Sequence, residues 1–474
     1  MPDDMSPLPP TFLSDVNDAL GPKGWSDDPQ EISPHLEDWR GNYKGHSGLL
    51  LKPASTEETA AIIRACNTHK VPVTPQGGNT SLVNGGIAHG EVVLSLKRMN
   101  VIRDIDPLNN SMIAEAGCVL TSVQDAAKAR NRFFPLSLGS QGTATIGGLI
   151  STNAGGVAVL RYGMIRDLLL GLEVVTPSGE IWSGLRGLRK DNTGYDLKHL
   201  FAGAEGTLGV VTAASLKLFP APKTATAWLI VENPEKAVQL LSAFRDTAGD
   251  TVTSFELMHK SGVELACTEI ENCRDPRPHD LPWRILVEIS MSDEDMAVSV
   301  IEKALENAFE TGLIADGTIA QSLSQAEDFW KIRESLPLVK RGFLTSVNHD
   351  ISVPVSKLPE FIETCENRLH ASYSDIEVFA FGHLGDGNLH YAVAEKQNAD
   401  NPKVRQAAAD ITRLVHGLVT SFGGSISAEH GIGLLNRDEL PEHKAPAELA
   451  MMRAIKKALD PNNIMNPGRI FTFD

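Results

Sequence analysis

Hydrophobic and polar residues first fall into a helical rhythm at residues 55–70, STEETAAIIRACNTHK, where Ser55 and Glu58 stand at capping-box spacing ahead of the apolar positions. The apolar runs that follow are too short for helices. VPVTP at 71–75 and EVVLSL at 91–96 predict strands, and MNVIRDIDPLNN with SMIAEAG predicts a hairpin turning at residues 107–110. Short helices are expected at residues 12–20 and 121–130, and strands at 171–176 and 180–183 about the turn Thr176-Pro177-Ser178-Gly179. Residues 191–220 hold a short helix, a glycine cluster (Gly203, Gly206, Gly209) and an apolar strand. Pro220 and Pro222 then mark a domain boundary.

Beyond residue 224 the rhythm changes. Strand patterns at 228–231, 252–257, 283–289, 349–355 and 376–381 alternate with helical ones at 234–246, 293–310, 321–340, 358–370 and 404–422. Mixed order without glycine-rich loops predicts an α+β domain, its antiparallel sheet covered on one face by helices. The last stretch carries SAEHGIG, a helix at 447–459 and DPNNIMNPGRIF. The expected division is a first domain over 1–220, a second over 221–424, and a segment 425–474 returning to the first.

Two stretches are dense in glycine. Residues 135–156, PLSLGSQGTATIGGLISTNAGG, carry Gly139, Gly142, Gly147, Gly148, Gly155 and Gly156, and residues 71–86, VPVTPQGGNTSLVNGG, repeat the theme after a predicted strand. Successive N–H groups in such turns form anion-binding nests, so the pair points to a large phosphorylated cofactor. The plainer alternative is two tight turns of a compact domain.

Composition narrows the partners. A net charge of −17 over 474 residues opposes nucleic acid or an anionic membrane surface. Five scattered cysteines without CxxC spacing indicate neither a disulfide framework nor a thiolate metal site, and fit a reducing compartment. The amino terminus lacks the basic start and apolar run of a secretory signal, and no stretch is apolar for long enough to span a bilayer, so a cytoplasmic protein is expected.

The sharpest chemistry lies in FGHLGDGNLHY, residues 381–391, where His383 and His390 flank a strong turn and can face each other across a hairpin. Two neutral imidazoles suit a divalent transition metal, although histidines around a turn are often plain loop residues. SAEHGIG adds Glu429 and His430. Neighbouring side chains in an extended segment point apart, so one ligand and one general base is the natural division. Arg333, in FWKIRESLP, is either a surface arginine beside Glu334 or a guanidinium aimed at a substrate carboxylate.

VTPQGGNTSLVNGG, PLSLGSQGTATIGGLISTNAGG, RYG, DNTGYDLKHLFAGAEGTLGVVT, FGHLGDGNLHY, SAEHGIG and the closing NPG, taken in order, resemble the motif set of FAD-linked D-2-hydroxyacid dehydrogenases, flavoproteins of the vanillyl-alcohol-oxidase type. The members most similar in pattern act on D-2-hydroxyglutarate, D-lactate or glycolate. The resemblance implies a two-subdomain FAD-binding domain plus an α+β cap domain. It places Pro75, Gln76, Gly77, Gly78, Asn79, Thr80 and Ser81 around the FAD pyrophosphate. Pro135, Gly139, Gly142, Gly147, Gly148, Thr152 and Asn153 are implied on the adenine and flavin side, with Glu205, Gly206, Gly209, Val210 and Asn466 completing the pocket. Neither loop offers a histidine or cysteine for covalent attachment, so the FAD is expected to be non-covalent.

In the cap domain the resemblance implies that His383, His390 and Glu429 bind a metal, usually zinc, that His430 is the base, and that Arg333 holds the C1 carboxylate. Electrons would pass to an electron-transfer flavoprotein or a quinone rather than to NAD, and a homodimer is expected. Three positions depart from the hydroxyglutarate-type pattern: Asn348 where a lysine is often found, Ala392 where asparagine is common, and Pro337 where a small hydroxylated residue is common. All three are expected near the substrate tail. Two other classes remain: a non-catalytic flavin-binding subunit, which would lack the histidine and carboxylate cluster, and a metal-dependent hydrolase, which leaves the glycine-rich loops unexplained.

Overall fold

The computed structural model describes residues 8–339, 346–395 and 404–473. It divides into two compact units, the first formed by Met1–Gly155, Met164–Ala221 and Glu429–Asp474, the second by Gly156–Gly163 and Pro222–Ala428.

In the first unit, α1 (Pro10–Leu20) and α2 (Thr56–His69) pack beside a sheet of β1 (Trp25–Ser26), β2 (Leu50–Leu51), β3 (Val73–Gln76) and β4 (Val92–Ser95), in the order β1-β2-β4-β3. Helix α2 begins where the spacing places it. The Ser55 hydroxyl accepts the Glu58 N–H at 3.1 Å and the Glu58 carboxylate accepts the Ala54 N–H at 2.7 Å, a cap of about 1 kcal/mol. An antiparallel sheet follows, built of β5 (Ile102–Asp106), β6 (Ser111–Glu115), β7 (Leu169–Val175), β8 (Ile181–Ser183) and β9 (Val210–Lys217), ordered β5-β6-β9-β7-β8. Two helices, α3 (Leu120–Lys128) and α4 (Ile146–Thr152), lie in the connection between β6 and β7. The glycine stretch is thus not loop throughout: its centre is the helix α4.

The second unit is a seven-stranded antiparallel sheet. Its strands are β10 (Lys223–Val231), β11 (Val252–His259), β12 (Trp283–Met291), β13 (Asp316–Ile319), β14 (Ser346–Ser352), β15 (Ile376–His383) and β16 (Asn388–Glu395), ordered β13-β10-β12-β11-β15-β16-β14. Strand periodicity sorts every second residue onto one face. Leu229, Phe255, Leu257, Ala380, Leu389, Tyr391 and Val393 join one core with α5 (Pro234–Ala248), α7 (Glu294–Glu310), α9 (Leu358–Ser372) and α10 (Ala408–Ser421). Asn233 and Asp293 cap α5 and α7 through the N–H groups of Lys236 and Met296.

The opposite face is covered too, contrary to the one-sided sheet expected. Trp228, Ile230, Met258, Leu286 and Phe381 pack there against α6 (Lys260–Glu269), which the pattern did not predict, and α8 (Leu323–Val339). The expected last residue of α8, Lys340, lies outside the described residues. Two boundaries also differ from expectation. Residues 156–163, containing Arg161 and Tyr162, belong to this unit: Ser254 donates to the Val157 carbonyl at 2.7 Å, Arg161 donates to the Ser290 carbonyl, and Leu160 joins the helical core. Residues 425–428 stay with it as well, because the Ser425 N–H donates to the Ser352 carbonyl at 2.8 Å and the Ala428 N–H to that of Asp350 at 3.1 Å.

Candidate active site

Glu256, His383, His390, Asp350, Asn348 and Ala392 all occupy polar-phase positions of neighbouring strands, so alternation brings them to one face of the second unit's sheet. Glu256 on β11 is the register partner of His383 on β15. Phe381, His390 and Asp350 form the next row, and Phe379, Ala392 and Asn348 the row after that. The histidines are therefore offset rather than opposite, with ring centroids 5.6 Å apart and planes at 76°.

Glu256 is buried, and it is the residue that pattern reading missed. Its Oε1 lies 2.7 Å from His383 Nδ1 and its Oε2 accepts Arg333 Nε at 2.6 Å. Burial alone would raise its carboxyl, but His383 and Arg333 outweigh that and hold it down to about 2. With Nδ1 donating to a carboxylate, His383 presents Nε2 as a lone-pair donor, the arrangement common to metal-binding histidines. His390 Nδ1 lies 3.7 Å from Asp350, whose Oδ1 also accepts Asn388 Nδ2 at 2.9 Å. A lone acid in VTSFELMH was the available signal for Glu256, since a carboxylate inside an apolar strand must be paired.

Arg333 is not a surface residue. It is 4 % exposed, stacks 5.0 Å over the Phe381 ring, and its Nη2 is buried with no hydrogen-bond partner among the described residues. A guanidinium with one edge on Glu256 and one nitrogen unspent fits an incoming carboxylate. Asn348 and Ala392 are direct cross-strand partners one row from His390. Pro337 is exposed on α8, next to Leu336, which lines a small pocket with His259, Gly262, Phe379, Ala380 and Phe381.

In the first unit the two glycine-rich stretches lie against each other. A Cβ on Gly77 would strike Thr145 Oγ1, and one on Gly78 the Thr143 carbonyl. The side chains of Gln76, Asn79 and Ser81 are spent on their own surroundings: Gln76 Nε2 on the carbonyls of His35 and Gly86, Asn79 Nδ2 on that of Glu37, Ser81 Oγ on the N–H groups of Val83 and Gly85. The N–H groups of residues 77–81, Thr80 among them, which follow Pro75 and Gln76 at the end of β3, donate to no acceptor among the described residues. Among the described residues, Thr145 Oγ1 and Asn466 Oδ1 are buried without hydrogen-bond partners beside this loop, and Gly139 and Gly142 have nothing within 4 Å of a Cβ position. Backbone donors with no acceptor among the described residues, the Thr145 hydroxyl and the open glycines fit a pyrophosphate-bearing cofactor.

Some residues assigned to that pocket are taken up otherwise. Gly147 is buried with a Cβ position 2.8 Å from the Ala116 Cβ, and Gly209 faces the Val175 carbonyl at the same distance. Val210 lies in the core on β9, and Pro135 is buried. Half-buried Gly148 stays near Thr145, Thr152 Oγ1 returns to the Gly148 carbonyl within α4, and Asn153 caps that helix and accepts the Arg166 N–H at 3.2 Å. Gly206 takes a positive φ of 71°. The Glu205 carboxylate accepts the N–H groups of Ile432 and Gly433, both at 2.8 Å, and burial lifts its carboxyl to about 7. Glu429 and His430 are half-buried, one and two residues past Ala428.

Comparison with known proteins agrees with this layout. The model for the FAD binding domain matches residues 48–184, and that for the C-terminal domain of FAD linked oxidases matches residues 221–470. A solved structure of p-cresol methylhydroxylase superposes with a TM-score of 0.76 at 19% identity, covering 98% of this chain and 96% of that one. The fold is that of vanillyl-alcohol-oxidase type flavoproteins. A probable mitochondrial D-2-hydroxyglutarate dehydrogenase of Oryza sativa subsp. indica is 40% identical over 97% of this chain and 81% of its own length. The D-2-hydroxyglutarate dehydrogenase of Stutzerimonas stutzeri is 35% identical over 98% and 99%. The chain belongs to the FAD-linked D-2-hydroxyacid dehydrogenases.

Proposed function

We propose that the protein oxidises a D-2-hydroxyacid to its 2-oxoacid, with His383, His390 and Glu429 holding a divalent metal and His430 acting as general base. The observation that carries this reading is the Glu256–His383 pair, which fixes the imidazole tautomer for a ligand at Nε2. A bound divalent ion would supply Lewis acidity that lowers the pKa of the substrate hydroxyl, and FAD a two-electron acceptor for the C2 hydride. The chain's own residues do the rest. Arg333 Nη2 receives the C1 carboxylate while Nε stays on Glu256, and His430 takes the hydroxyl proton. An electron-transfer flavoprotein or a quinone is the proposed onward acceptor.

The names of the relatives make D-2-hydroxyglutarate the first acid to try. A second reading, an acid with an uncharged tail, is favoured by the row Phe379–Ala392–Asn348, which places no cation beside the histidines. The metal assignment is tested by elemental analysis of the purified yellow protein: His383→Ala should lose a stoichiometric divalent ion and turnover while keeping its flavin. Turnover that survives in this variant would overturn it.

A further inference from the structure

Glu205 was assigned to the cofactor pocket by resemblance, yet its carboxylate is directed elsewhere within the first unit. Oε1 accepts the Ile432 N–H and Oε2 the Gly433 N–H, each at 2.8 Å. The acceptor is built to stay in place. Glu205 adopts a left-handed φ of 49°, its N–H donates to the Ser151 carbonyl in α4 at 2.8 Å, and its carbonyl accepts Asn466 Nδ2 at 2.7 Å.

The loop it grips is equally specific. Gly431 has φ 82°, and a Cβ there would stand 2.8 Å from Glu205 Oε1. Gly433 has φ 54°, a Cβ there would strike the Val83 carbonyl, and that carbonyl accepts the Leu434 N–H at 2.9 Å. Between the left-handed Gly431 and Gly433, the backbone turns both N–H groups onto one carboxylate. The two residues immediately before this turn are Glu429 and His430.

We propose that Glu205 is a positioning residue that sets the orientation of Glu429 and His430 by clamping the backbone of the 431–433 turn, and so couples the glycine-rich helix α4 to the catalytic loop. This rests on the roles proposed above for Glu429 and His430. Two hydrogen bonds from backbone N–H groups hold the loop, and a misplacement on the order of 1 Å costs about 10²-fold in rate.

The test uses the flavin-loaded protein and Glu205→Gln, whose amide can accept one N–H but turns an NH₂ toward the other. Amide hydrogen exchange of the peptide spanning 429–436 requires no turnover. The expected result is faster exchange at Ile432 and Gly433, an unchanged flavin content and spectrum, and flavin reduction slowed by 10-fold or more with little change in substrate KM. Gly431→Ala keeps the carboxylate but pushes the loop off it, and should reproduce the slow reduction if Glu205→Gln folds poorly. Wild-type exchange and wild-type reduction in Glu205→Gln would overturn the proposal. Loss of FAD with the loop still protected would overturn it in favour of a cofactor ligand. If the wild-type protein is reduced by no 2-hydroxyacid, the reaction assignment falls, whereas exchange at Ile432 and Gly433 still decides whether Glu205 clamps the loop.

Discussion

Glu256 and His383 face each other across adjacent antiparallel strands, with 2.7 Å between Oε1 and Nδ1, although 127 residues separate them in sequence. The same carboxylate holds Arg333 at 2.6 Å, so one acidic residue orients both the imidazole proposed as a metal ligand and the guanidinium proposed to receive the substrate carboxylate.

Glu256→Gln should loosen both. An outward-turned amide cannot fix the Nδ1–H tautomer of His383, and loss of such a partner weakens metal binding by roughly 10- to 100-fold. Competition with a graded chelator series measures this directly. Wild-type metal retention in Glu256→Gln would contradict the orienting role.

Arg333→Lys keeps a positive charge for Glu256 but removes the planar fork and with it the unspent Nη2. Loss of one charge-assisted hydrogen bond of about 1.5 kcal/mol raises substrate KM on the order of tenfold. Steady-state kinetics should show KM rising more than kcat falls. An unchanged KM would remove Arg333 from substrate binding.

Asn348 is exposed opposite Ala392, and its amide donates to Ser346 at 3.1 Å. Asn348→Lys would place a cation in that row. Relative turnover should shift toward D-2-hydroxy dicarboxylic acids if the native tail site is uncharged. An unaltered ratio of dicarboxylate to monocarboxylate turnover would move tail recognition away from this row.

Glu173 ties four elements of the first unit. Its Oε1 accepts Thr56 Oγ1 at 2.6 Å, Thr212 Oγ1 at 2.9 Å and Arg103 Nη2 at 3.1 Å. Burial raises its carboxyl, but Thr56, Arg103 and Thr212 together lower it further, leaving it below the ordinary value. Glu173→Gln should destabilise by about 1.5–3 kcal/mol at neutral pH. With a lowered folded-state pKa, that contribution is full above the unfolded value of about 4.3 and fades as pH falls through the folded one. The Tm gap between wild type and variant should close on acidification below about pH 4 and stay level above pH 5. A gap independent of pH would mean that the ionised carboxylate contributes nothing.

Much of the fold was legible because period and caps are local. Ser55 and Glu58 mark α2, and the strand patterns at 252–257 and 376–381 fall within β11 and β15. The GDGN turn made His383 and His390 readable as a pair. Glu256 showed only as a lone acid in an apolar strand, because its partner His383 is set by pairing between β11 and β15, a long-range contact. Arg333 looked like a surface residue because its neighbour Glu334 offers a nearby partner, while the carboxylate it uses lies 77 residues away. Gly147 and Gly77 look alike in sequence, yet one is small to pack on Ala116 and the other lies in a turn whose N–H groups donate to no acceptor among the described residues. Glycine pairs also hid α4, since they read as loop whenever propensity is judged alone.

The most direct test of the account is anaerobic bleaching of the flavin band near about 450 nm by a panel of D- and L-2-hydroxyacids, with and without chelator. Rapid bleaching by a D-acid, none by its L-enantiomer, and loss of bleaching after chelation are expected. A flavin-loaded protein that no 2-hydroxyacid reduces would contradict it.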